Sequence, residues 1–263
     1  QQFNYKNLAR FKEILIKKQL KNSTIHTYLS KLRSIYNEFC RINNLENKKP
    51  FTNLFSGLKS RSFTDKRNYL NKKQIREFNI AELTGLKSLA RDLAMLQFYL
   101  GGQDLKDIVY LKKKDVHENR AYFSRSKINS GYELSNRIFP EAMDIINKYK
   151  CNDPENDFLF PYRTDDKGYK TFRRRIQKNL VLIQIQLEIE LPSYGNIGIK
   201  TFRHTFANFG KLLFVHEDIL REIQGHERKD IDNYYKDYYP EKTRDKFHRK
   251  IINKAIPKLD QPS

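Results

Sequence analysis

Cysteine is scarce. Cys40 and Cys151 are the only two in 263 residues, and they stand in neither CxxC nor any metal-ligand spacing, which argues against structural zinc and fits a reducing cytoplasm. No segment approaches the ~18 consecutive apolar residues of a membrane-spanning helix, and the mean hydropathy is −0.79. No secretory signal is expected, and the sequence shows no internal repeat and no low-complexity tract. It also lacks a Gly-rich phosphate loop, an HExxH motif and paired Cys or His ligands, so nucleotide-driven and metal-driven mechanisms lose ground, and no metal or cofactor is expected. Acidic residues are few: 31 Asp+Glu stand against 51 Lys+Arg, a formal charge of +20. Solubility requires far less, so the expected partner is a polyanion, with double-stranded DNA favoured over a membrane surface. The chain opens on Gln rather than Met, and it is expected to start partway into a longer protein.

From Leu8 to about Leu45, apolar residues recur at helical spacing: Leu8, Phe11, Ile14 and Leu15, then Ile25, Tyr28, Leu29, Leu32, Ile35, Tyr36 and Phe39. This pattern predicts two amphipathic helices. Asn22-Ser23-Thr24 between them is a helix-start cluster, because short oxygen-bearing side chains satisfy orphan amides of a first turn. Lys17, Lys18, Lys21, Lys31 and Arg33 lie off the apolar stripe, as a solvated face or as cations for a phosphate backbone. Residues 57–69, GLKSRSFTDKRNY, lose periodicity and gain Gly, Ser and basic residues, which predicts a linker. The expected domains are thus 1–65, helical, and 66–263.

Beyond the linker, helices are predicted over Lys72 to Phe78 and Leu86 to Leu100, with Gly101-Gly102 breaking the second. Arg120 to Phe139 alternates around Asn129-Ser130-Gly131 as a β-hairpin does. Helical spacing returns over Ala142 to Tyr149, Phe172 to about Ile185, and Leu212 to Ile223, where Gly225 is the expected C-terminal cap. Arg173, Arg174 and Arg175 form a basic cluster expected on DNA. After Pro240, Phe247, Ile251, Ile252 and Ile256 make an apolar stripe for a neighbouring protomer or for the chain's own core. The fold class is mainly α with a small β-sheet, the second domain being α+β.

Cationic and imidazole groups dominate what is left for chemistry. In GIKTFRHTFANFGKLL, residues 198–213, Lys200 stands three residues before Arg203, and His226 follows after the next helix. Alone, an Arg-His pair at a helix start reads as capping or packing. The ordered series Lys127, Lys200, Arg203, His226 and a tyrosine, however, resembles the tyrosine recombinase (phage integrase) family, over essentially the whole chain. The family pattern has His or Lys three residues before an Arg followed by His-Thr-Phe-Ala, matched here by Lys200, Arg203, His204, Thr205, Phe206 and Ala207. A Leu-Gly-His-like motif follows as Gln224-Gly225-His226, and the nucleophilic Tyr of the family, nine residues further, falls on Tyr235. Tyr234 is the reserve candidate; Tyr238 and Tyr239, next to Pro240, read as packing or DNA-facing rings.

The resemblance implies an N-terminal helical core-binding (SAM-like) domain, with Lys21, Lys31 and Arg33 on DNA, followed by a recombinase catalytic domain. It implies a metal-independent enzyme that breaks and rejoins duplex DNA through a covalent 3′-phosphotyrosine and exchanges strands through a four-way junction in a tetrameric synapse. Accessory DNA-bending proteins, a mobile element and a cytoplasmic, nucleoid-associated location complete that expectation, and the first domain is expected to be truncated at its N-terminus or to lack a preceding arm-binding domain. By resemblance, Arg203 clamps the scissile phosphate, His226 and Lys200 hydrogen-bond it or assist proton transfer, and Lys127 protonates the departing 5′-oxygen. One departure stands out. The family's first arginine belongs in LGGQDLKDIVYL, residues 100–111, which contains no Arg. Arg125 is the preferred substitute, since residues two apart on a strand share a face with Lys127; Arg91 is the weaker one. A non-cutting DNA-binding protein and a topoisomerase-like relaxing enzyme are the alternatives.

Overall fold

The computed structural model describes residues 3–58, 68–124, 133–162, 166–192, 195–226 and 237–257. The chain divides into two compact units between Lys66 and Arg67.

The first unit is built on α1 (Tyr5–Lys17) and α2 (Asn22–Ile42). Asn4 starts α1 by accepting the Asn7 N–H at 2.9 Å, satisfying one orphan donor of the first turn. Gln19, at φ 54, reverses the chain. The second helix begins at Asn22 as the Asn-Ser-Thr cluster predicts, but Lys21 occupies the cap and no side chain bonds there. Leu8, Leu15, Ile25 and Leu29 pack with Phe51, Leu54 and Leu58 from the turn-rich segment that follows. The predicted stripe is wider than this core. Ile14, Tyr28, Ile35 and Phe39 are exposed, the last two at 62% and 54%, because one partner helix and a short run of turns cover only one side of α2.

The second unit opens with Leu70, whose N–H donates to Thr205 Oγ1 at 2.9 Å. The helix α3 (Lys72–Ile80) starts with a capping box between Asn71 and Gln74. Next comes α4 (Gly85–Tyr99), whose residues from Asp92 to Tyr99 are all buried, the mark of a helix packed on every side. It leads into the short α5 (Leu105–Val109) and an antiparallel sheet of β1 (Val116–His117), β2 (Arg120–Ser124) and β3 (Glu133–Arg137), in that order. The hairpin register pairs Phe123 with Leu134 and Ala121 with Asn136, putting their side chains on the buried face. The helices α6 (Pro140–Tyr149), α7 (Asp166–Gln186), α8 (Thr201–Leu212), α9 (Glu217–Gln224) and α10 (Glu241–Ala255) complete the unit. Around α4 they bury one large core that includes Phe78, Phe98, Phe202, Phe206 and Ile251.

One expectation changes. The stretch Leu212 to Ile223 is not one helix: Phe214 turns left-handed at φ 53, and α9 starts anew with His216 accepting the Asp218 N–H. A Cβ at Gly210 would lie 2.3 Å from Leu220 Cδ2, so the glycine lets α9 fold back onto α8. Apolar spacing runs on through Leu213 and Val215, which hid the break. Of the two readings of the stripe after Pro240, packing on the unit's own core is the one seen: Ile251 and Ile252 are buried, and Phe247 and Ile256 pack against that core. The turn of the hairpin and most of the linker lie outside the described residues.

Candidate functional site

Two glycines at the end of α4 create the site's floor. Gly101 and Gly102 have φ of +83° and +77°, and a Cβ on the first would sit 2.6 Å from Ile223 Cγ2, one on the second 2.8 Å from Gln224 Nε2. Only glycine meets both demands, a left-handed backbone and contact with the end of α9. Amide side chains then lace the turn in place. Asn136 Nδ2 donates to the carbonyls of Leu100 and Ile223, each at 2.8 Å. Gln103 Nε2 donates to Ile223 O at 2.7 Å, and Gln97 Nε2 to Gln103 O at 3.0 Å. Buried backbone carbonyls need such partners.

Arg203 emerges from the first turn of α8 into this floor and is 7% exposed. Its Nη1 donates to Gly102 O at 2.6 Å and its Nη2 to Gln224 O at 2.9 Å, with His226 Nε2 at 2.8 Å from Nη2. Gln224 Nε2 returns a bond to Arg203 O at 3.0 Å. A guanidinium only donates, so His226 Nε2 accepts, which assigns the ring proton to Nδ1. The histidine is held there by its own backbone. Gly225 is left-handed, and the N–H groups of Gly225 and His226 close on Glu222 O and Arg221 O at 3.0 and 2.8 Å, a Schellman motif. The Gly-His pair of the sequence is therefore a cap that presents an imidazole to a fixed arginine.

Lys200 sits at the N-cap of α8, in a segment tied to α7 by Gln177, which bonds Ile197 O and the Ile199 N–H. It lines a cleft of about 270 Å³ with Asp104, Lys106, Asp107, Tyr169 and Arg173. Burial pushes the Tyr169 hydroxyl up to about 12, against the opposing pull of the Arg173 charge. Arg173, Arg174 and Arg175 are all exposed on α7, as are Lys21, Lys31 and Arg33 in the first unit; Arg33 lies over the Phe55 ring at 4.5 Å.

The structure thus joins Arg203 to His226 and sets Lys200 beside Arg173. It does not recruit Arg91, whose guanidinium is taken up by Asn79 O and Ala81 O, both at 2.9 Å, and by Asp92. That corner lies nine residues before Leu100, roughly 14 Å along the helix. Arg125, Lys127, Tyr234 and Tyr235 fall outside the described residues. Tyr238 is exposed and Tyr239 packs against the core. Sequence reasoning missed the supporting amides Gln97, Gln103, Asn136 and Gln224. One signal was present: Gln97 interrupts the otherwise apolar LAMLQFYL. Among the described residues no group of three or more His, Cys, Asp or Glu is arranged to hold a metal ion, and no helix is long and apolar enough to cross a membrane.

No family model matches this sequence, and no curated protein matches it. Solved structures do. The Tn1549 transposon integrase in complex with circular intermediate DNA is similar at a TM-score of 0.60 and 17% identity, over 90% of this chain and 82% of that one. The XerH site-specific recombinase bound to its difH substrate gives 0.56 and 15%, over 98% and 71%. A lambda integrase dimer bound to a core site gives 0.59 and 12%, over 99% and 82%. The chain has the tyrosine-recombinase fold.

Proposed function

We propose that this protein is a site-specific tyrosine recombinase, the integrase of a mobile element, which cuts and rejoins duplex DNA. The observation that carries the reading is the Arg203–His226 junction, built where two helix ends and a Gly-Gly turn meet, in a fold shared with DNA-bound integrases and recombinases. Phosphodiester cleavage builds negative charge on the nonbridging oxygens, and donors fixed beforehand stabilise it without reorganising. Arg203 supplies a fixed guanidinium charge beside the phosphate; His226 and Lys200 assist binding or proton transfer, and Arg125 supplies the second guanidinium. The Tyr235 hydroxyl gives its proton to water and its oxygen bonds to phosphorus as the bond to the 5′-oxygen breaks, and Lys127 protonates that leaving oxygen. The 3′-phosphotyrosine keeps a phosphodiester's bond energy, so a 5′-hydroxyl from another strand reverses the step and joins a new partner.

The first unit would act as the core-binding domain through Lys21, Lys31 and Arg33, and Arg173 to Arg175 would meet DNA from the catalytic domain. The reading includes a tetramer on paired sites, with accessory DNA-bending proteins as candidate partners. The test is covalent trapping on a nicked suicide substrate from the cognate site, in EDTA, with peptide mapping. An adduct on Tyr235 is expected, and Tyr235→Phe is expected to abolish it while retaining DNA affinity. Tight binding by the wild type without an adduct would instead support a non-cutting DNA-binding protein. Asp104 and Asp107 favour that second reading, because carboxylates line the cleft in the segment where the family's first arginine belongs.

A further inference from the structure

Glu222 is a fully buried carboxylate, at 0% exposure, that the proposed chemistry does not use. Burying a carboxylate is costly unless bonds compensate, so its partners indicate what it is for. Its Oε2 accepts the backbone N–H of Tyr239 at 3.0 Å. The carbonyl of the same residue accepts from Arg244 Nε at 3.2 Å, and that nitrogen lies 3.9 Å from Glu222. Both backbone polar groups of Tyr239 are therefore held, one by α9 and one by α10. Arg244 is braced in turn, with Nη2 3.7 Å from Glu241. Behind it Arg120, on β2, grips Asp245 at 2.7 Å and Ser135 Oγ at 3.2 Å. The start of α10 is thus locked to the sheet.

The same turn of α9 that carries Glu222 also fixes His226, through Arg221 O. His226 and Tyr239 are therefore both held by α9, the first through a backbone carbonyl and the second through the Glu222 side chain. Tyr235 lies four residues before Tyr239, and four extended residues span at most about 14 Å. We propose that Glu222 is a positioning residue that, with Arg244, anchors the returning chain and so sets the reach of Tyr235 toward the phosphate held by Arg203. This rests on the recombinase reading above. A nucleophile misplaced by about 1 Å loses on the order of 10²-fold in rate, whereas Arg203 is held by the carbonyls of Gly102 and Gln224, and His226 by that of Arg221.

The test compares two nucleophiles. On the suicide substrate, Glu222→Ala is expected to slow covalent attachment by about 10²-fold with DNA affinity nearly unchanged. In a Tyr235→Phe background, hydrogen peroxide replaces the phenol: its oxygen bonds to phosphorus, the bond to the 5′-oxygen breaks, and that oxygen leaves with a proton. Adding Glu222→Ala to this background is expected to leave peroxide-driven cleavage unchanged. Equal loss with both nucleophiles overturns the positioning role, as does attachment at the wild-type rate. Glu222→Gln, whose amide oxygen still accepts the Tyr239 N–H, is expected to rescue attachment; a Gln variant as slow as Ala also overturns it. Where Glu222→Ala does not fold, Arg244→Ala carries the same comparison. Hydrogen exchange separates this inference from the recombinase reading. The Tyr239 amide is expected to be protected in the wild type and to lose protection in Glu222→Ala; fast exchange in both overturns the anchor, with or without recombinase activity. A wild type that forms no adduct on a verified cognate site overturns the recombinase reading and the positioning role together, while protected exchange would still establish the anchor.

Discussion

The two units of this chain bury different chemistry. Among the described residues, every buried polar or charged side chain, from Asp92 through Arg203 and Glu222 to His248, belongs to the second unit. The first unit buries only apolar side chains and keeps its cations outside. A buried polar group costs free energy unless its partners are set in place. Its concentration around the end of α4 and the end of α9 therefore marks where the fold spends stability on geometry. The first unit, whose cations are solvated and screened, suits binding that tolerates sliding along a polyanion. The second fixes single atoms.

The largest expected effect separates the units directly. Arg203→Ala strips the partner from Gly102 O and Gln224 O in a buried site, and each orphaned carbonyl costs about 1–3 kcal/mol. The urea unfolding transition of the second unit is expected to lose about 4 kcal/mol, whereas Arg33→Ala in the first unit, which removes only an exposed guanidinium over the half-buried Phe55 ring, is expected to cost under about 1 kcal/mol. Comparable losses would erase the distinction. Next, Gly101→Ala must force a left-handed alanine against Ile223, at about 2–3 kcal/mol, read as a lower melting temperature. A wild-type melting curve would mean that the turn is not held against α9 in solution.

A smaller effect appears only as a pH slope. Burial lowers the pKa of His248 from 6.5 to about 3, and its ring bonds Tyr99 O at 2.9 Å. The folded state keeps this ring neutral while the unfolded chain takes up a proton below about 6.5. Stability therefore falls as pH drops from there toward 3, by about 2 kcal/mol between pH 7 and 5. His248→Gln is expected to flatten that slope in denaturation curves at the two pH values; an unchanged slope would assign it to other groups. The smallest effect belongs to the first unit, where Ile35→Ser or Phe39→Ser on the exposed face of α2 is expected to change stability by less than about 0.5 kcal/mol. A loss of 2 kcal/mol or more from either would show that this face is covered in solution.

Local pattern made much of this legible. Gly225 reads as a helix C-terminal cap, and the structure builds it as a Schellman motif that presents His226. The alternation on either side of Asn129-Ser130-Gly131 reads as two strands, and β2 and β3 pair there. The break at Phe214 was not legible, because apolar spacing continues across it. Nor was the fate of the first unit's stripe: periodicity says which residues share a helix face, and only the size of the partner surface says how many of them are covered. The amides around Gly101 and Gly102 escaped for another reason. Each bonds a carbonyl far away in the chain, as Asn136 does with Ile223, and no spacing along a sequence encodes such a pair.

By itself, the sequence determined most of the helices, the Gly225 cap, the two strands of the hairpin, the excess of positive charge and the ordered set of chemically capable residues, since each follows from neighbours within a few positions or from composition. Only the tertiary structure decided that Arg203 is buried and clamped between Gly102 and Gln224, that Arg91 is spent elsewhere, and that Glu222 holds Tyr239. Those outcomes depend on which distant backbone groups lose their water when helices pack, and that is settled in three dimensions.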